Sequence, residues 1–298
     1  MRGRTAWHAR PIRAGVPIQR PAHPAGHAGI APHQQPHIAQ TARSSPRHTR
    51  PQSGKRQGLE ILRGFPMSLQ WHEYASKDEL DHQLAETIAQ ALAAAIAARG
   101  QASAAVSGGR TPAGMFKALS EKDIDWSRVS LTLVDERWVP VEHADSNERT
   151  VRQNLLVNRA AAARFVSPVS AADTPHAGQA EIEARFATLP QPFDVLILGM
   201  GDDGHTASLF PEAPELEAAC ASTTLVAAVT PPVAPHRRIT LTLPTIAKAR
   251  EVIVHITGEG KKALLHTALT EDKPVTAQYP IRRVLDAVAG EKHVFWAA

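Results

Sequence analysis

The sequence predicts an α/β fold built on a sheet of mainly parallel strands, and two observations support this. Along residues 67–298, segments with the apolar repeat of helices alternate with short apolar segments typical of buried strands. Four turns rich in glycine or charged residues directly follow predicted strands. Parallel strands end at one edge of a sheet, where open α/β folds bind ligands. We therefore expect the four turns to form one site.

Residues 1–66 differ in composition from the rest of the chain. They hold 11 of the 33 lysines and arginines but only one of the 29 acidic residues, Glu60. Residues 67–298 therefore carry 22 basic and 28 acidic side chains and are net acidic. The high isoelectric point belongs to the N-terminal extension, so it does not indicate a nucleic-acid partner for the folded part.

The extension over residues 1–66 is predicted to be disordered, because prolines recur and apolar residues are too sparse to form a core. One interpretation is that it is upstream sequence translated in frame, with Met67 as the true start. The alternative is a targeting segment, since the stretch is rich in arginine and poor in acids. We expect residues 67–298 to form one folded domain.

Cysteine usage and hydropathy favour a cytoplasmic protein. Cys220 is the single cysteine, so the chain has no disulfide framework and suits a reducing compartment. No apolar run reaches the ~18 residues of a membrane span. We expect a cytoplasmic monomer with no membrane partner and no nucleic-acid partner.

The clearest helix signal begins at Ser76. Ser76 and Glu79 have the spacing of a capping box, and Gly100 stands where helices commonly end in a left-handed residue. Between them, apolar residues recur at every fourth position and form one face of the helix. These residues are Leu80, Leu84, Ile88, Leu92 and Ile96.

Seven strands and four further helices are predicted downstream. Residues 193–198 are apolar after Asp194, which is typical of a central strand buried on both faces. Helices are expected after Pro112 and over residues 147–156, 179–189 and 260–269. The remaining strands are predicted at residues 104–106, 129–134, 225–229, 239–243, 252–256 and 294–296.

The first functional turn follows the strand that ends at residue 106. Glycines allow a backbone to approach an anion closely, and a helix N-terminus offers free N–H groups and a positive dipole end. A hydroxyl and a guanidinium complete the pattern of a phosphate cradle. An ordinary strand-to-helix turn is the alternative. The residues of the turn are Gly108, Gly109, Arg110, Thr111 and Pro112.

Charged residues follow the next predicted strand. Asp135 and Arg137 point to the same side if the strand continues, because strand side chains alternate. They would then line a polar cleft; a solvated loop with a local ion pair is the alternative. Further on, Asp145 or Ser146 can cap a helix, and Asn147 is a candidate substrate contact.

The strongest pattern follows the central strand and presents His205 beside Asp203 in a glycine-rich turn. A carboxylate can hold an imidazole in one tautomer, and the imidazole can then take a proton from water. A structural histidine is the alternative. A dinucleotide site is rejected despite the glycine spacing, because Asp202 and Asp203 would repel a pyrophosphate. The three glycines are Gly199, Gly201 and Gly204.

Basic residues stand at two more strand ends. Arg237 and Arg238 open one strand, and Lys261 and Lys262 follow another. One arginine and one lysine near the Gly-Gly turn would complete a phosphate site, and the sequence leaves open which of each pair points inward. His255 and His266 lie on apolar patterns and are expected to be core or surface residues.

Together these motifs resemble those of the 6-phosphogluconolactonase family, within the glucosamine/galactosamine-6-phosphate isomerase-like superfamily. The motifs are Ser-Gly-Gly-Arg-Thr-Pro, Asp-Glu-Arg-Trp-Val-Pro, Asp-Ser-Asn, Gly-His-Thr-Ala-Ser-Leu-Phe-Pro, Arg-Ile-Thr-Leu-Thr-Leu-Pro and Gly-x-x-Lys, in the family order. The resemblance covers about residues 67–298. It implies a Rossmann-like open sheet with helices on both faces and a small additional sheet.

The resemblance also implies an activity and residue roles. The substrate would be a small sugar-phosphate lactone, hydrolysed in the oxidative pentose phosphate pathway without a metal or an organic cofactor. His205 would be the catalytic acid–base and Asp203 its partner, with Asp135 and Arg137 lining the sugar site. The phosphate would be held by Gly108, Gly109, Arg110, Thr111, Arg238 and Lys261, with Asn147 as a further contact.

Two other functions are weighed against this one. A sugar-phosphate isomerase–deaminase of the same fold carries an acidic residue in an Asn-Glu-Pro string after the histidine, where this chain has Leu209-Phe210-Pro211. A non-catalytic sugar-phosphate sensor would need a DNA-binding segment. The basic extension is the one candidate, and its prolines are incompatible with a recognition helix.

Overall fold

Two sheets and eight helices make up the part of the chain that this computed structural model describes, residues 60–61, 69–271 and 278–298. The strands are β1 (Glu60–Ile61), β2 (Leu69–Tyr74), β3 (Ala102–Val106), β4 (Val129–Leu133), β5 (Asp135–Arg137), β6 (Arg164–Phe165), β7 (Val195–Leu198), β8 (Val226–Val229), β9 (Arg238–Leu241), β10 (Glu251–Thr257) and β11 (Glu291–Ala297). The helices are α1 (Lys77–Arg99), α2 (Ala113–Ser120), α3 (Asn147–Asn154), α4 (Pro175–Phe186), α5 (Leu216–Cys220), α6 (Leu243–Ala247), α7 (Glu259–Thr270) and α8 (Pro280–Ala287).

The large sheet has eight strands in the order β1-β2-β11-β10-β7-β3-β4-β6. Every neighbouring pair is parallel except β1 and β2. The small sheet, β5-β9-β8, is antiparallel, and in its register Arg137 stands opposite Arg238. The expected α/β class, with a mainly parallel sheet and a small additional sheet, is confirmed.

Strand β7 shows why the sheet is covered on both faces. Val195 and Ile197 pack into a core that includes the buried side of α1, whereas Leu196 and Leu198 pack into a second core with α4. Side chains alternate along a strand, so an all-apolar strand needs a helix layer on each side. The prediction of a central strand buried on both faces is confirmed.

Helix α1 begins and ends as its sequence predicts. The Ser76 hydroxyl accepts the backbone N–H of Glu79 at 3.2 Å, and Gly100 adopts φ 76°. The Glu79 carboxylate accepts the N–H of Ala75, one residue before the cap. Leu80, Leu84 and the other apolar residues of the repeat up to Leu92 are buried.

Several elements were not predicted from the sequence or begin at a different residue. β2 alternates large apolar residues with Gln70 and His72, and α8 is a short helix that opens at Pro280. Helix α4 begins four residues earlier than expected, with Thr174 accepting the N–H of Ala177. None of the helices in the described ranges combines the length and the apolar character needed to cross a bilayer.

The domain boundary near residue 66 falls outside the described residues, and the disorder expected for residues 1–66 stays a prediction. Glu60–Ile61, which that prediction placed in the extension, forms β1 and pairs with Gln70 and Trp71 of β2. The rest of the extension lies outside the described part of the chain.

Glu136 ties β5 to the start of α3. Its fully buried carboxylate accepts the backbone N–H groups of Arg137, Asn147 and Glu148 at 2.7, 2.8 and 2.6 Å. The Ser146 hydroxyl donates to it at 3.1 Å. Burial raises the pKa of the Glu136 carboxyl to about 7, against the backbone N–H bonds, which favour the charged form. This carboxylate therefore sets the position of the residues on either side of it.

Replacing Glu136 by alanine should destabilise the protein by about 3 kcal/mol, because three buried N–H groups lose their acceptor. The melting temperature should fall by about 5–10 °C in a thermal denaturation followed by circular dichroism. Glu181→Ala, which removes an exposed carboxylate paired with Arg185, is the matched control. Equal melting temperatures for the two variants would contradict the role given to Glu136.

Candidate active site

The four turns meet in one cavity of about 480 Å³ at the carboxyl edge of the large sheet. They follow β3, β4, β7 and β10, whose parallel pairing brings their ends together. All but one of the site residues expected from the sequence line this cavity. They are Gly108, Gly109, Arg110, Thr111, Asp135, Arg137, Asn147, His205, Arg238 and Lys261.

The exception is Asp203, which contacts the cavity through His205. Its carboxylate oxygen lies 2.5 Å from His205 Nδ1 and also accepts the backbone N–H of His205 at 3.1 Å. The His205 side chain is 30 % exposed and packs against Phe210 in a tilted arrangement, with the ring centroids 4.4 Å apart. A carboxylate on Nδ1 fixes the proton there and leaves Nε2 with a lone pair that can accept a proton.

Two glycines make room for this arrangement. A side chain at Gly201 would overlap the His205 ring, and Gly201 instead donates its N–H to the His205 carbonyl at 2.9 Å. Gly204 adopts φ +76°, a conformation that side chains disfavour, and packs against Tyr279. The glycine spacing therefore shapes a turn around an imidazole and not around a dinucleotide.

The Gly-Gly turn leads from β3 into the N-terminus of α2. Gly109 adopts φ +89°, and a Cβ on Gly108 would overlap the Asn147 side chain. Arg110 and Thr111 follow at the cavity wall. Free backbone N–H groups at a helix start favour an anion in front of them, so this corner suits a phosphate.

The structure shows which residue of each basic pair faces the cavity. Arg238 is 6 % exposed and lines the cavity, whereas Arg237 is exposed and does not. Lys261 lines the cavity and donates to the Met200 carbonyl at 2.6 Å. Lys262 points elsewhere, where it pairs with a carboxylate of β2 and lies over an indole ring of β11.

Arg238 has unused binding capacity. Its Nη2 donates to the Pro235 carbonyl at 3.2 Å, while its Nε is enclosed without a partner in the described structure. Burial lowers the pKa of the guanidinium, and nearby Asp135 opposes this effect. The Nη end of the guanidinium, where Nη1 makes no hydrogen bond within the described residues, is therefore the part that can donate to an anion in the cavity.

Asp135, Arg137 and Asn147 are held by one another and by the surrounding loops. Arg137 donates to the Asn147 side-chain oxygen and to the Asp145 carbonyl, each at 2.8 Å. The Ser208 hydroxyl donates to the Asp135 carboxylate at 2.6 Å. Sequence reasoning missed Ser208, although it lies only three residues after His205 in the same motif.

One group of side chains has the composition of a metal site. The ligand atoms of His143, Asp145 and His236 lie within 4.8 Å of one another at the rim of the cavity. His236 Nε2 is 3.0 Å from the Asp145 carboxylate, and His143 Nδ1 accepts the Asp145 N–H at 3.1 Å. Both histidines thus hydrogen-bond to Asp145, whose backbone carbonyl also accepts from Arg137, so hydrogen bonding accounts for the group.

His255, expected to be a core or surface residue, is buried and also lines the cavity. Its apolar neighbours in the strand concealed this second property, because the pattern of β10 marks burial but not the cavity at its end.

Comparison with known proteins identifies the family of the chain. Residues 75–296 match the family model described as glucosamine-6-phosphate isomerases/6-phosphogluconolactonase. A 6-phosphogluconolactonase of Rhizobium meliloti is 45 % identical over 78 % of this chain and 100 % of its own length. One from Neisseria meningitidis is 44 % identical over 76 % of this chain and 98 % of its own length.

Solved structures give the same result. A 6-phosphogluconolactonase from Shewanella baltica superimposes with a TM-score of 0.75 at 41 % identity, covering 80 % of this chain and 100 % of that chain. A monomeric glucosamine-6-phosphate deaminase shares the fold at 16 % identity, with a TM-score of 0.63. From the family match and the extent of these identities, the chain belongs to the glucosamine-6-phosphate isomerase/6-phosphogluconolactonase family.

Proposed function

We propose that the chain hydrolyses 6-phospho-D-glucono-1,5-lactone to 6-phospho-D-gluconate, the lactone-opening step of the oxidative pentose phosphate pathway. The observation that carries the proposal is the His205–Asp203 pair, which faces the same cavity as the cationic corner of Arg238 and Lys261. A phosphorylated lactone has a phosphate group for the cationic corner and a lactone carbonyl for the His205 end of that cavity. The relatives named as 6-phosphogluconolactonases support this assignment.

The phosphate docks first, at the Gly108–Thr111 turn in front of α2. Backbone N–H groups and the helix dipole attract the anion there, and Arg238 and Lys261 supply the neutralising charge. Docking fixes the distance between the phosphate and the lactone ring, which places the C1 carbonyl near His205.

His205 then acts as the general base. Oriented by Asp203, it takes a proton from water as the water oxygen bonds to C1 of the lactone. Arg137 or the backbone N–H groups of the Gly201–Gly204 turn stabilise the tetrahedral oxyanion. The bond from C1 to the ring oxygen breaks, and His205 returns the proton to that oxygen.

Asp135 and Asn147 hold the sugar. Ser208 fixes one oxygen of the Asp135 carboxylate, and Arg137 fixes the Asn147 amide, so both side chains present oriented polar atoms to the cavity. Carboxylate and amide groups of this kind accept hydrogen bonds from sugar hydroxyls. In this arrangement Asp135 is a hydroxyl ligand, and the proton transfers are left to His205.

A deaminase activity is the second candidate, and the site does not favour it. The segment after His205 continues as Leu209-Phe210-Pro211, with Leu209 and Phe210 buried. The acidic residue that the deaminases carry there is absent, and the similarity to the solved deaminase reaches only the fold. Cytoplasmic location and a monomeric state stay predictions, which cell fractionation and analytical ultracentrifugation would test.

Replacing His205 by alanine should lower kcat/KM by about 10²–10⁴, because general acid–base catalysis is lost. The measurement is acid release from freshly prepared 6-phosphogluconolactone, corrected for spontaneous hydrolysis. His266→Ala, on α7 and outside the cavity, serves as the matched control. A His205 variant with wild-type turnover would remove His205 from the mechanism.

Replacing Arg238 by alanine should raise KM for the phosphorylated lactone by about tenfold or more and leave kcat within a few-fold, because a charge-assisted contact to the phosphate is lost. The neighbouring exposed residue provides the control, since Arg237→Ala removes the same charge outside the cavity. Equal KM values for the two variants would place Arg238 outside the phosphate site.

A further inference from the structure

A buried His–Asp pair lies beneath the phosphate corner of the cavity. His255 of β10 points toward α1, where its Nε2 lies 3.9 Å from Oδ1 of Asp81. The two side chains are only 2 % and 6 % exposed. Both of these atoms are enclosed and lack a hydrogen-bond partner in the described part of the chain. The two side chains therefore face each other without forming a hydrogen bond.

The other side of the His255 ring belongs to the cavity. His255 lines the cavity next to Ile256 and Thr257, in the strand that leads to Lys261. Its Nδ1 is not among the enclosed unpartnered atoms, and within the described residues it makes no hydrogen bond. One ring nitrogen thus faces a buried carboxylate while the other is open to the space where an anion is expected.

Asp81 links this histidine to the phosphate cradle. A Cβ on Gly114, in the first turn of α2, would overlap the Asp81 carboxylate, so the helix start rests directly on it. Lys77, one turn earlier in α1, forms an ion pair with the same carboxylate. The Asp81 carboxylate therefore stands between His255 and the helix whose N-terminus follows Arg110 and Thr111.

His255 is neutral when the cavity holds no anion. Burial, together with the charge of Lys77, lowers the pKa of His255 to about 3. Lys77 and Asp81 of α1 act on it directly, and Lys261 of α7 and Arg110 of the turn are among the charged residues that line the same cavity. The strand beside it places the apolar Phe295 level with His255. A phosphate dianion bound in the cavity would add two negative charges to these surroundings of His255.

Neither neutral tautomer of His255 can serve both of its neighbours. With the proton on Nε2, the ring can donate to Asp81, but a lone pair on Nδ1 meets the phosphate oxygen. With the proton on Nδ1, the ring can donate to the phosphate, but a lone pair on Nε2 meets the Asp81 carboxylate. Only the imidazolium donates on both sides.

We propose that His255 is a phosphate-binding residue that takes up a proton when the phosphorylated ligand binds, with Asp81 as the buried carboxylate that holds the resulting imidazolium. This inference rests on the proposed function, because it needs a phosphorylated substrate in the cavity. Binding of the phosphate group is then coupled to protonation of His255. Lys261 and Arg238 supply permanent charge, whereas His255 supplies charge only to an occupied site.

The test is isothermal titration calorimetry with 6-phosphogluconate at pH 8, where the phosphate monoester is a dianion. Titrations in two buffers with different ionisation enthalpies give the number of protons taken up. Because a pKa of about 3 must rise by several units before the imidazolium persists, the wild-type chain should take up only a fraction of a proton per ligand more than His255→Gln at pH 8, and this difference should grow in titrations repeated at pH 7 and pH 6. KM of His255→Gln for the phosphorylated lactone should rise about tenfold with kcat nearly unchanged.

Two further variants keep the test decisive. Asp81→Asn keeps the shape of the side chain but removes the anion, so proton uptake should also fall. His266→Gln makes the same exchange at a histidine outside the cavity and should leave uptake and KM unchanged. Melting temperatures identify any variant that fails to fold, in which case the Asp81 variant carries the result.

The outcomes separate the two proposals. Equal proton uptake by the wild type and by folded His255→Gln would overturn the role of His255, even if lactone hydrolysis is fast. No uptake by the wild type would overturn it as well. Proton uptake that depends on His255, in a protein without lactonase activity, would support the phosphate contact and contradict the proposed reaction.

Discussion

The parallel pairing of β7 with β3 on one side and β10 on the other is the constraint on which the site depends. It brings three loops to the same edge: the Gly-Gly turn, the His205 turn and the start of α7. Because β7 is apolar on both faces, two helix layers must cover it, and these layers hold the strand ends in place. The buried strand beneath the cavity therefore fixes the positions of the loops that carry the reactive side chains.

The polar groups of the site are positioned mostly by atoms that never meet a substrate. Asp203 orients His205, Ser208 orients Asp135, and Glu136 fixes the backbone on which Arg137 and Asn147 stand. Each contact engages one hydrogen-bonding atom of a site residue and leaves its other polar atoms available to a ligand. The cavity therefore presents atoms whose orientation is already determined before a ligand arrives, which reduces the cost of ordering them on binding.

Much of this could be predicted from the sequence, because the turns around Gly108 and His205 follow strands with strong apolar patterns. The inward choice of Arg238 over Arg237 needed the register of β9, which a single sequence does not give. Glu136 stood inside a charged run, where nothing marks which carboxylate is buried. β2 and α8 were missed because both are short, with six and eight residues, and because β2 pairs with the distant strand β11.

The register of the small sheet has one more consequence. Arg137 on β5 and Arg238 on β9 are directly opposite each other, so two guanidinium groups of like charge share one cross-strand position. Such pairs repel, but the carboxylate of Asp135 outweighs this repulsion at Arg238, and Glu136 and Asp145 act in the same direction. The small sheet can therefore hold two guanidinium groups side by side before any ligand arrives. Because both arginines line the cavity, the sheet presents them together to an incoming anion.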